Sequence, residues 1–322
     1  MQVFALIFTR RKEVFVMQIG IIDIGSNTIK ISVFSDAEKR PTEIYSKTVH
    51  AKLSSHIENG DLSEKGIRIL SRSLCLLKRS ARTMGCKKEN IFAFATACIR
   101  NAQNRDIILR RAKRASKLKI SLLDGKEEAE LCFAGATASS GCPCEGILAD
   151  LGGGSCEFVH FSDGNIISSV SLNVGALVMH KRFSSKKYIT APESRELSEF
   201  LCNLFSEELA PFSKSPSLPM VVTGGSARAA VKLISALDKV DPALPFEITA
   251  KKIDFLTESF FNGELSQVYE SVLKERAQTL LPALFVFKEA SKSIGTYRFT
   301  VIDGGARLGL ASRILSKKGK AL

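Results

Sequence analysis

The chain has 322 residues, 45% hydrophobic and 25% charged, and 46 lysines and arginines against 33 acids give a formal charge of +13. These proportions describe a soluble globular protein with cores of its own, long enough for two domains. No apolar run approaches the roughly 20 residues of a membrane helix, and the excess of cations attracts polyanions without specifying a fold.

The apolar stretch from Val3 to Phe8 precedes Arg10, Arg11 and Lys12, the reverse of a secretory signal, and Met17 stands directly before the first strand. Residues 1–16 are therefore expected to be a leader outside the fold. Residues 18–24 and 29–34 read as two strands around a tight Gly-Ser-Asn-Thr turn, and 43–53 as a third. Asp61 reads as an N-cap, with Glu64 completing a capping box. Behind it Ile67, Leu70, Leu74, Leu77, Ala81 and Met84 recur at helical spacing. A buried strand at 91–95, a basic helix at 104–116, a strand at 118–123 and a helix at 126–138 that opens on acids follow. Between Lys78 and Lys119 13 lysines and arginines meet only two acids, Glu89 and Asp106. Taken alone, such a stretch is a pair of solvated helix faces.

The pattern then restarts, with 146–151 and 155–161 again reading as strand, glycine-rich turn, strand. Residues 184–190 are a polar loop, and Ala191-Pro192-Glu193 opens a helix to about Leu209. A proline- and serine-rich break at 211–219 precedes a strand at 220–223 and a helix at 226–237. The stretch 251–293 reads as helical throughout, punctuated by Gly263 and Pro282. A last strand at 297–302 and a helix at 306–316 complete the chain. Strands alternating with helices, and a hairpin opening each half, predict an α/β fold made of two similar domains. The repeat is visible in residues. Asp23-Ile-Gly-Ser-Asn-Thr28 and Asp150-Leu-Gly-Gly-Gly-Ser155 share Asp-x-Gly-x-x-[Ser/Thr] 127 positions apart, with Phe34 and Phe161 at the same offset beyond them.

Eight cysteines are spread along the chain, and without a secretion signal they predict reduced thiols and a cytoplasmic location. Cys142-Pro143-Cys144 lacks a second pair at zinc spacing and reads as a surface turn.

A strand ending in Asp, a glycine turn and then Ser or Thr suits phosphate. Glycine lets the backbone approach a ligand with no Cβ in the way. Successive turn N–H groups make an anion-binding concavity to which the hydroxyl adds a donor. The strand-tip Asp is placed to hold a hydrated divalent cation that bridges phosphate oxygens. One such turn is ordinary hairpin chemistry; two copies opening matching halves point to a shared ligand. Gly125-Lys126-Glu127-Glu128-Ala129 supplies an acid–base candidate. One glutamate faces the cleft and activates water, or both merely complement the helix dipole; spacing does not choose.

In chain order the first turn, Thr96-Ala-Cys-Ile-Arg100, Gly125-x-Glu-Glu-Ala129, Asp150-x-Gly-Gly-Gly-Ser-x-Glu157, Val222-Thr-Gly-Gly-Ser-Ala-Arg228 and Asp303-Gly-Gly-Ala-Arg307 resemble the motifs of the Ppx/GppA phosphatases. These are exopolyphosphatases and guanosine pentaphosphate phosphohydrolases of the actin-like superfamily that also holds sugar kinases and Hsp70. The resemblance runs from about residue 18 to 316, and the chain is similar to the short, two-domain form. It implies two duplicated actin-like, ribonuclease H-like domains with a cleft between them. Domain I would span 17–140, with the C-terminal helix 306–322 packing back on it, and domain II 141–305.

By the same resemblance Glu128 would orient and deprotonate the attacking water, and Arg100 would pair with phosphate oxygens. Asp150 and Glu157 would bind Mg²⁺ or Mn²⁺, with Asp23 reached through water. Gly25, Ser26, Asn27 and Thr28 would cradle phosphate from one side, and Gly152, Gly153, Gly154 and Ser155 from the other. The implied reaction is metal-dependent hydrolysis of the terminal phosphate of inorganic polyphosphate. Guanosine pentaphosphate is the alternative substrate, and the basic stretch favours polyphosphate. A nucleotide-dependent actin-like kinase, expected to use an aspartate base, and a non-catalytic alarmone binder are further readings. Neither nucleic acid nor a membrane is expected as a partner, and a homodimer is left open. Lys126 stands where the family has Asn or an acid, Val178 and Lys181 where it has Arg and Glu, and Leu308 where a Glu often follows the final Arg.

Overall fold

The computed structural model describes residues 17–36, 40–212 and 218–319; the expected leader and part of the 211–219 break lie outside the described residues. One chain order occurs twice. In the first half β1 (Gln18–Ile24), β2 (Ile29–Ser35) and β3 (Thr42–Val49) form an antiparallel meander. A two-stranded ribbon, β4 (Ile57–Glu58) with β5 (Asp61–Leu62), leads into α1 (Glu64–Thr83). β6 (Ile91–Ala95), α2 (Ala97–Arg100), α3 (Arg105–Ser116) and β7 (Ile120–Leu122) follow, then α4 (Gly125–Thr137). β6 and β7 join parallel to β1, giving the sheet order β3-β2-β1-β6-β7.

The second half repeats this plan. β8 (Glu145–Leu151), β9 (Cys156–Ser162) and β10 (Asn165–Leu172) form the meander, and α5 (Ala176–Phe183) and α6 (Ala191–Glu208) lead to β11 (Met220–Thr223). After α7 (Gly225–Asp238), β12 (Phe246–Thr249), α8 (Ala250–Phe261), α9 (Ser266–Leu273) and α10 (Ala277–Ile294) come β13 (Arg298–Val301) and α11 (Ala306–Gly319). The order is β10-β9-β8-β11-β13-β12, the same five-strand plan with β12 added antiparallel at the edge. This is the α/β fold of two similar halves that the sequence predicts.

β1 is central and buried on both faces through Ile19–Ile22, which is why it carries isoleucine at successive positions rather than a strict alternation. On one face of the first sheet Leu70, Leu74, Leu77 and Ala81 of α1 pack with Ile22, Ile24, Ile31 and Val33. The last helix of each half crosses to the other. Ala129, Cys132, Phe133 and Ala136 of α4 pack on Leu148, Val159, Phe161 and Val221 of the second sheet. Ala311, Leu308, Leu310 and Ile314 of α11 pack on Ile19, Ile21, Phe34 and Phe94 of the first. The two helices touch backbone to backbone at glycines: a Cβ on Gly309 would stand 1.9 Å from the Leu131 carbonyl oxygen, and one on Gly135 2.3 Å from that of Gly305. Gly309→Ala is therefore expected to destabilise the protein by about 1–3 kcal/mol, the usual cost of overpacking. Urea unfolding checks it, and an unchanged midpoint would show that the helices separate freely.

Several local expectations are corrected. The cap of α1 is Ser63, whose side chain accepts from the Gly66 N–H, because Asp61 is taken up pairing with Glu58 in the ribbon. The third strand ends at Val49 rather than 53. The stretch 251–293 is three helices, broken where Gly263 adopts φ +81°, whereas Pro282 lies inside α10 without ending it. β10, β12 and α5 carry too little periodicity to be read from sequence. All eight cysteines are free, and among the described residues no helix is long and apolar enough to cross a membrane.

Candidate active site

The duplicated turns have the same internal geometry. The Gly25 N–H donates to the Thr28 carbonyl at 3.0 Å, and the Gly152 N–H to that of Ser155 at 3.0 Å. Among the described residues the N–H groups of Ser26, Asn27, Gly153 and Gly154 donate to no protein acceptor, so each turn offers free donors. Both turns line one cleft of about 500 Å³ between the sheets, and they meet at its floor. A Cβ on Gly154 would lie 2.7 Å from Ser26 Oγ and 2.9 Å from Ala97 Cβ, so only glycine allows this approach. The second turn is braced from behind by α5, whose Ala176 and Leu177 N–H groups donate to the carbonyls of Gly152 and Gly153 at 3.0 Å.

The strand register places the acids. Asp23 lies opposite Lys30 in the β1–β2 ladder, and Asp150 opposite Glu157 in the β8–β9 ladder, at the same offset. The duplication is thus chemically asymmetric, with two carboxylates in one copy and a carboxylate and an amine in the other. α4 settles the geometry of the glutamate pair. Asp124 caps that helix by accepting from the Glu127 N–H at 2.8 Å, and Glu127 Oε2 accepts from the Asp124 N–H at 2.9 Å. Glu127 is consumed by this exposed capping box. Glu128, one residue on, is 9% exposed and lines the cleft with Asp23, Asp150 and Glu157.

Arg100 departs from expectation. It is absent from the cleft lining; its Nη1 donates to Glu128 Oε2 at 2.8 Å and to the Leu123 carbonyl at 3.0 Å. It holds the glutamate rather than presenting itself to a phosphate. Asp23 is likewise engaged, because Arg307 reaches from α11 to Asp23 Oδ2 at 2.7 Å and to Ser32 Oγ at 3.1 Å. The Cys132 thiol donates to Asp150 Oδ2, and Glu157 accepts from Ser171 Oγ at 2.8 Å.

Burial raises the Glu128 carboxyl to about 7, against the opposing pull of Arg100 and with the repulsion of Asp23 and Asp150 adding to it. Burial and the charges of Glu128 and Asp150 push Glu157 well above the usual range. Asp23 is raised by burial, with Arg307 pulling the other way. Among the described residues no three His, Cys, Asp or Glu side chains form a ready-made metal cage.

The cations of the cleft were not recognised from sequence. Lys30, Arg228, Lys232, Arg276 and Arg307 all line it. Arg228 and Arg307 lie inside recognisable motifs that carried no assigned role for them, whereas Lys30, Lys232 and Arg276 belong to no pattern. The side chains of Arg228, Lys232 and Arg276 make no hydrogen bond or ion pair among the described residues. Burial, then repulsion from Arg307, lowers Arg228, and burial, then Arg228, lowers Arg276. Conversely, no lysine or arginine between 78 and 119 lines the cleft, so that stretch gives no support to its substrate. Of the departures from family pattern, Lys181 bonds the Ser54 carbonyl across the two halves, Leu308 of α11 packs on the first sheet, and Lys126 is exposed.

A model of the Ppx/GppA phosphatase family matches residues 32–318. The chain belongs to that family. Among curated relatives of this phosphatase, exopolyphosphatase 1 of Mycobacterium tuberculosis is 25% identical over 317 residues, covering 94% of this chain and 89% of that one. The bifunctional 3-dehydroquinate synthase/phosphatase of Fusobacterium nucleatum is 25% identical over 274 residues, and the match covers 81% of this chain but 40% of the larger protein. The crystal structure of the Aquifex aeolicus family member superposes with a TM-score of 0.79 at 23% identity, covering 94% of this chain and 99% of that one, and it supports the fold. Family membership makes the chain a phosphatase of phosphoanhydrides.

Proposed function

We propose that the chain is an exopolyphosphatase, which removes the terminal phosphate of inorganic polyphosphate by attack of a water activated by Glu128. What carries this reading is the meeting of two donor-rich turns, the buried Glu128 and three cations with unpaired side chains in a single cleft. Arg228 and Arg276 are half-buried, and unpaired cations drawn partly out of water are costly and are relieved by a polyanionic ligand. The turns 25–28 and 152–155 would grip the terminal phosphate between them, and Arg228, Lys232 and Arg276 would hold the phosphates behind it. Glu128, held by Arg100, accepts a proton from water; its raised pKa suits a base working near neutrality. Catalysis is then mostly positioning and charge neutralisation.

Asp150 and Glu157 would hold Mg²⁺ or Mn²⁺. The donor set fits a hard cation: the half-buried Asp150 faces the buried Glu157, whose carboxyl is pushed up by burial and then by the charges of Glu128 and Asp150, and both gain from a positive charge. Mg²⁺ takes one or two carboxylates, waters and phosphate oxygens rather than a closed cage. When bound, the ion supplies neutralisation of charge on the phosphate oxygens. The eight free thiols fit a reducing compartment, so a cytoplasmic place of action belongs to the same proposal.

A second substrate is favoured by one observation. Val272 and Leu273 of α9 line the cleft beside Arg276, an apolar wall against which a guanine could lie, as in guanosine pentaphosphate. Phosphate release measured with polyphosphate, guanosine pentaphosphate and ATP, each with Mg²⁺, separates the readings. Release from polyphosphate at the highest kcat/KM supports the first, and release from guanosine pentaphosphate alone replaces it by the second.

Because Arg100 opposes the rise in the Glu128 pKa, Arg100→Gln is expected to raise it further. In the wild type, activity should climb with pH through about 7 as the glutamate loses its proton. In the variant that rise should move to higher pH. A kcat–pH profile checks this, and an unshifted acid limb would separate Arg100 from the base.

A further inference from the structure

The basic stretch that fails to line the cleft has a place of its own. Residues 64–119 hold 16 lysines and arginines and three acids, a balance of +13 equal to that of the whole chain; all other residues together carry equal numbers of the two signs. Eleven of those cations, with two of the acids, sit on α1 and α3, two helices packed side by side. The Cys75 thiol donates to the Ala115 carbonyl at 3.5 Å, Lys78 Nζ to that of Ser116 at 2.7 Å, and Arg111 pairs with Glu64. The inner face of α1 is spent on the first sheet, so the remaining cations point outward. Arg68, Arg72, Arg79, Arg110 and Arg114 are exposed and bond no described residue.

The orientation of α1 connects this face to the cleft. The Ser54 N–H donates to the carbonyl of Ser26 at 3.0 Å, and the Ser63 N–H, at the cap of α1, to that of His56 at 2.8 Å. α1 therefore starts beside the first phosphate turn. It ends where Gly85 meets Gln18, at the opposite end of β1. A helix of 20 residues spans about 30 Å, so the cationic surface leads from the cleft rim down the back of the first domain.

The chemistry of the face selects its partner. Neither α1 nor α3 contains an aromatic residue, so there is no platform on which bases could stack. Leu76 and Ile107 are its exposed large apolar side chains, too few to enter a membrane. What it offers is a series of guanidinium forks suited to phosphate oxygens. We propose that the outer faces of α1 and α3 form a track that holds the distal part of a long phosphate chain whose end lies in the cleft. The proposal rests on the polyphosphate reading of the cleft and adds a second attachment that only long chains reach. Such tethering raises the local concentration of substrate ends without any change in the reacting groups.

The test compares the full-length wild type with Arg68→Glu/Arg72→Glu/Arg110→Glu/Arg114→Glu. Fluorescence anisotropy with end-labelled polyphosphate several hundred units long, at low ionic strength, should show binding weakened about tenfold or more. KM for the long chain should rise in parallel, while kinetics on tripolyphosphate stay as in the wild type, which also shows that the variant is folded. The milder Arg68→Gln/Arg72→Gln should lie between the two. Equal binding of the long chain by wild type and variant overturns the track. Tighter binding of duplex RNA than of polyphosphate, lost in the same variant, also overturns it and assigns the face to nucleic acid. If the wild type hydrolyses guanosine pentaphosphate and no polyphosphate, the reading of the cleft fails. The tether then fails with it, because no chain end is held in the cleft, whereas equal binding by wild type and variant while polyphosphate is hydrolysed overturns the track alone.

Discussion

Glu128→Gln is expected to lower kcat by about 10²- to 10⁴-fold, the usual contribution of a general base, with KM for the phosphate chain little changed. The amide keeps the volume of the side chain and can still accept a hydrogen bond from Arg100, whose Nη1 lies 2.8 Å from Glu128 Oε2. It cannot take a proton. The turns and the unpaired cations that would bind the chain belong to other elements, so affinity should persist. Glu127→Gln is the matching control. Glu127 is occupied with Asp124 at the start of α4, and because Gln also accepts from the cap N–H at this position of a capping box, stability and kcat should both be retained. Steady-state kinetics of both variants check the pair. A Glu128→Gln enzyme with near-normal kcat would remove the glutamate from the reaction.

Arg276→Met is expected to raise KM for the phosphate chain by about 10- to 100-fold, with Arg228→Met similar. A hydrogen bond to a charged group contributes about 1.5–3 kcal/mol, and each 1.4 kcal/mol is about tenfold in affinity. Neither guanidinium has an ionic partner among the described residues, so neither variant leaves a carboxylate stranded. Burial, and then the charge of a neighbouring arginine (Arg307 for Arg228, Arg228 for Arg276), lowers both pKa values, so each guanidinium is held at a cost. Removing one should therefore hold or raise the urea midpoint while binding falls. That pairing of weaker binding with undiminished stability distinguishes a ligand-holding cation from a structural one. An unchanged KM would place the chain elsewhere in the cleft.

The fold was largely legible because its signals are local. Apolar runs ending in Asp-x-Gly mark β1 and β8, and their recurrence reveals the duplication. The helix α1 declares itself through Leu70, Leu74 and Leu77. What stayed hidden depends on tertiary context. β10 is serine-rich and half-buried, so its strand character comes from pairing with β9 rather than from its own pattern. Asp61 looked like a cap because Asp is a good one, yet a two-residue ribbon claimed it first. The acids of the site were legible from motif spacing. Their cations were not, because Lys30, Lys232 and Arg276 come from three separate elements and meet only after the halves close on each other. The choice between Glu127 and Glu128 depended on Asp124, a residue outside the motif that neither charge nor periodicity singled out. Net charge misled in a physical way: the densest basic stretch faces outward on α1 and α3, while the cations of the cleft are few and widely spaced in sequence.

Hydrolysis of polyphosphate in water enriched in heavy oxygen tests the central claim most directly. Attack on the terminal phosphorus, gripped between turns 25–28 and 152–155, predicts one labelled oxygen in each orthophosphate released and none in the shortened chain. Label appearing in the chain, or a wild-type protein that releases no phosphate at all, would contradict it.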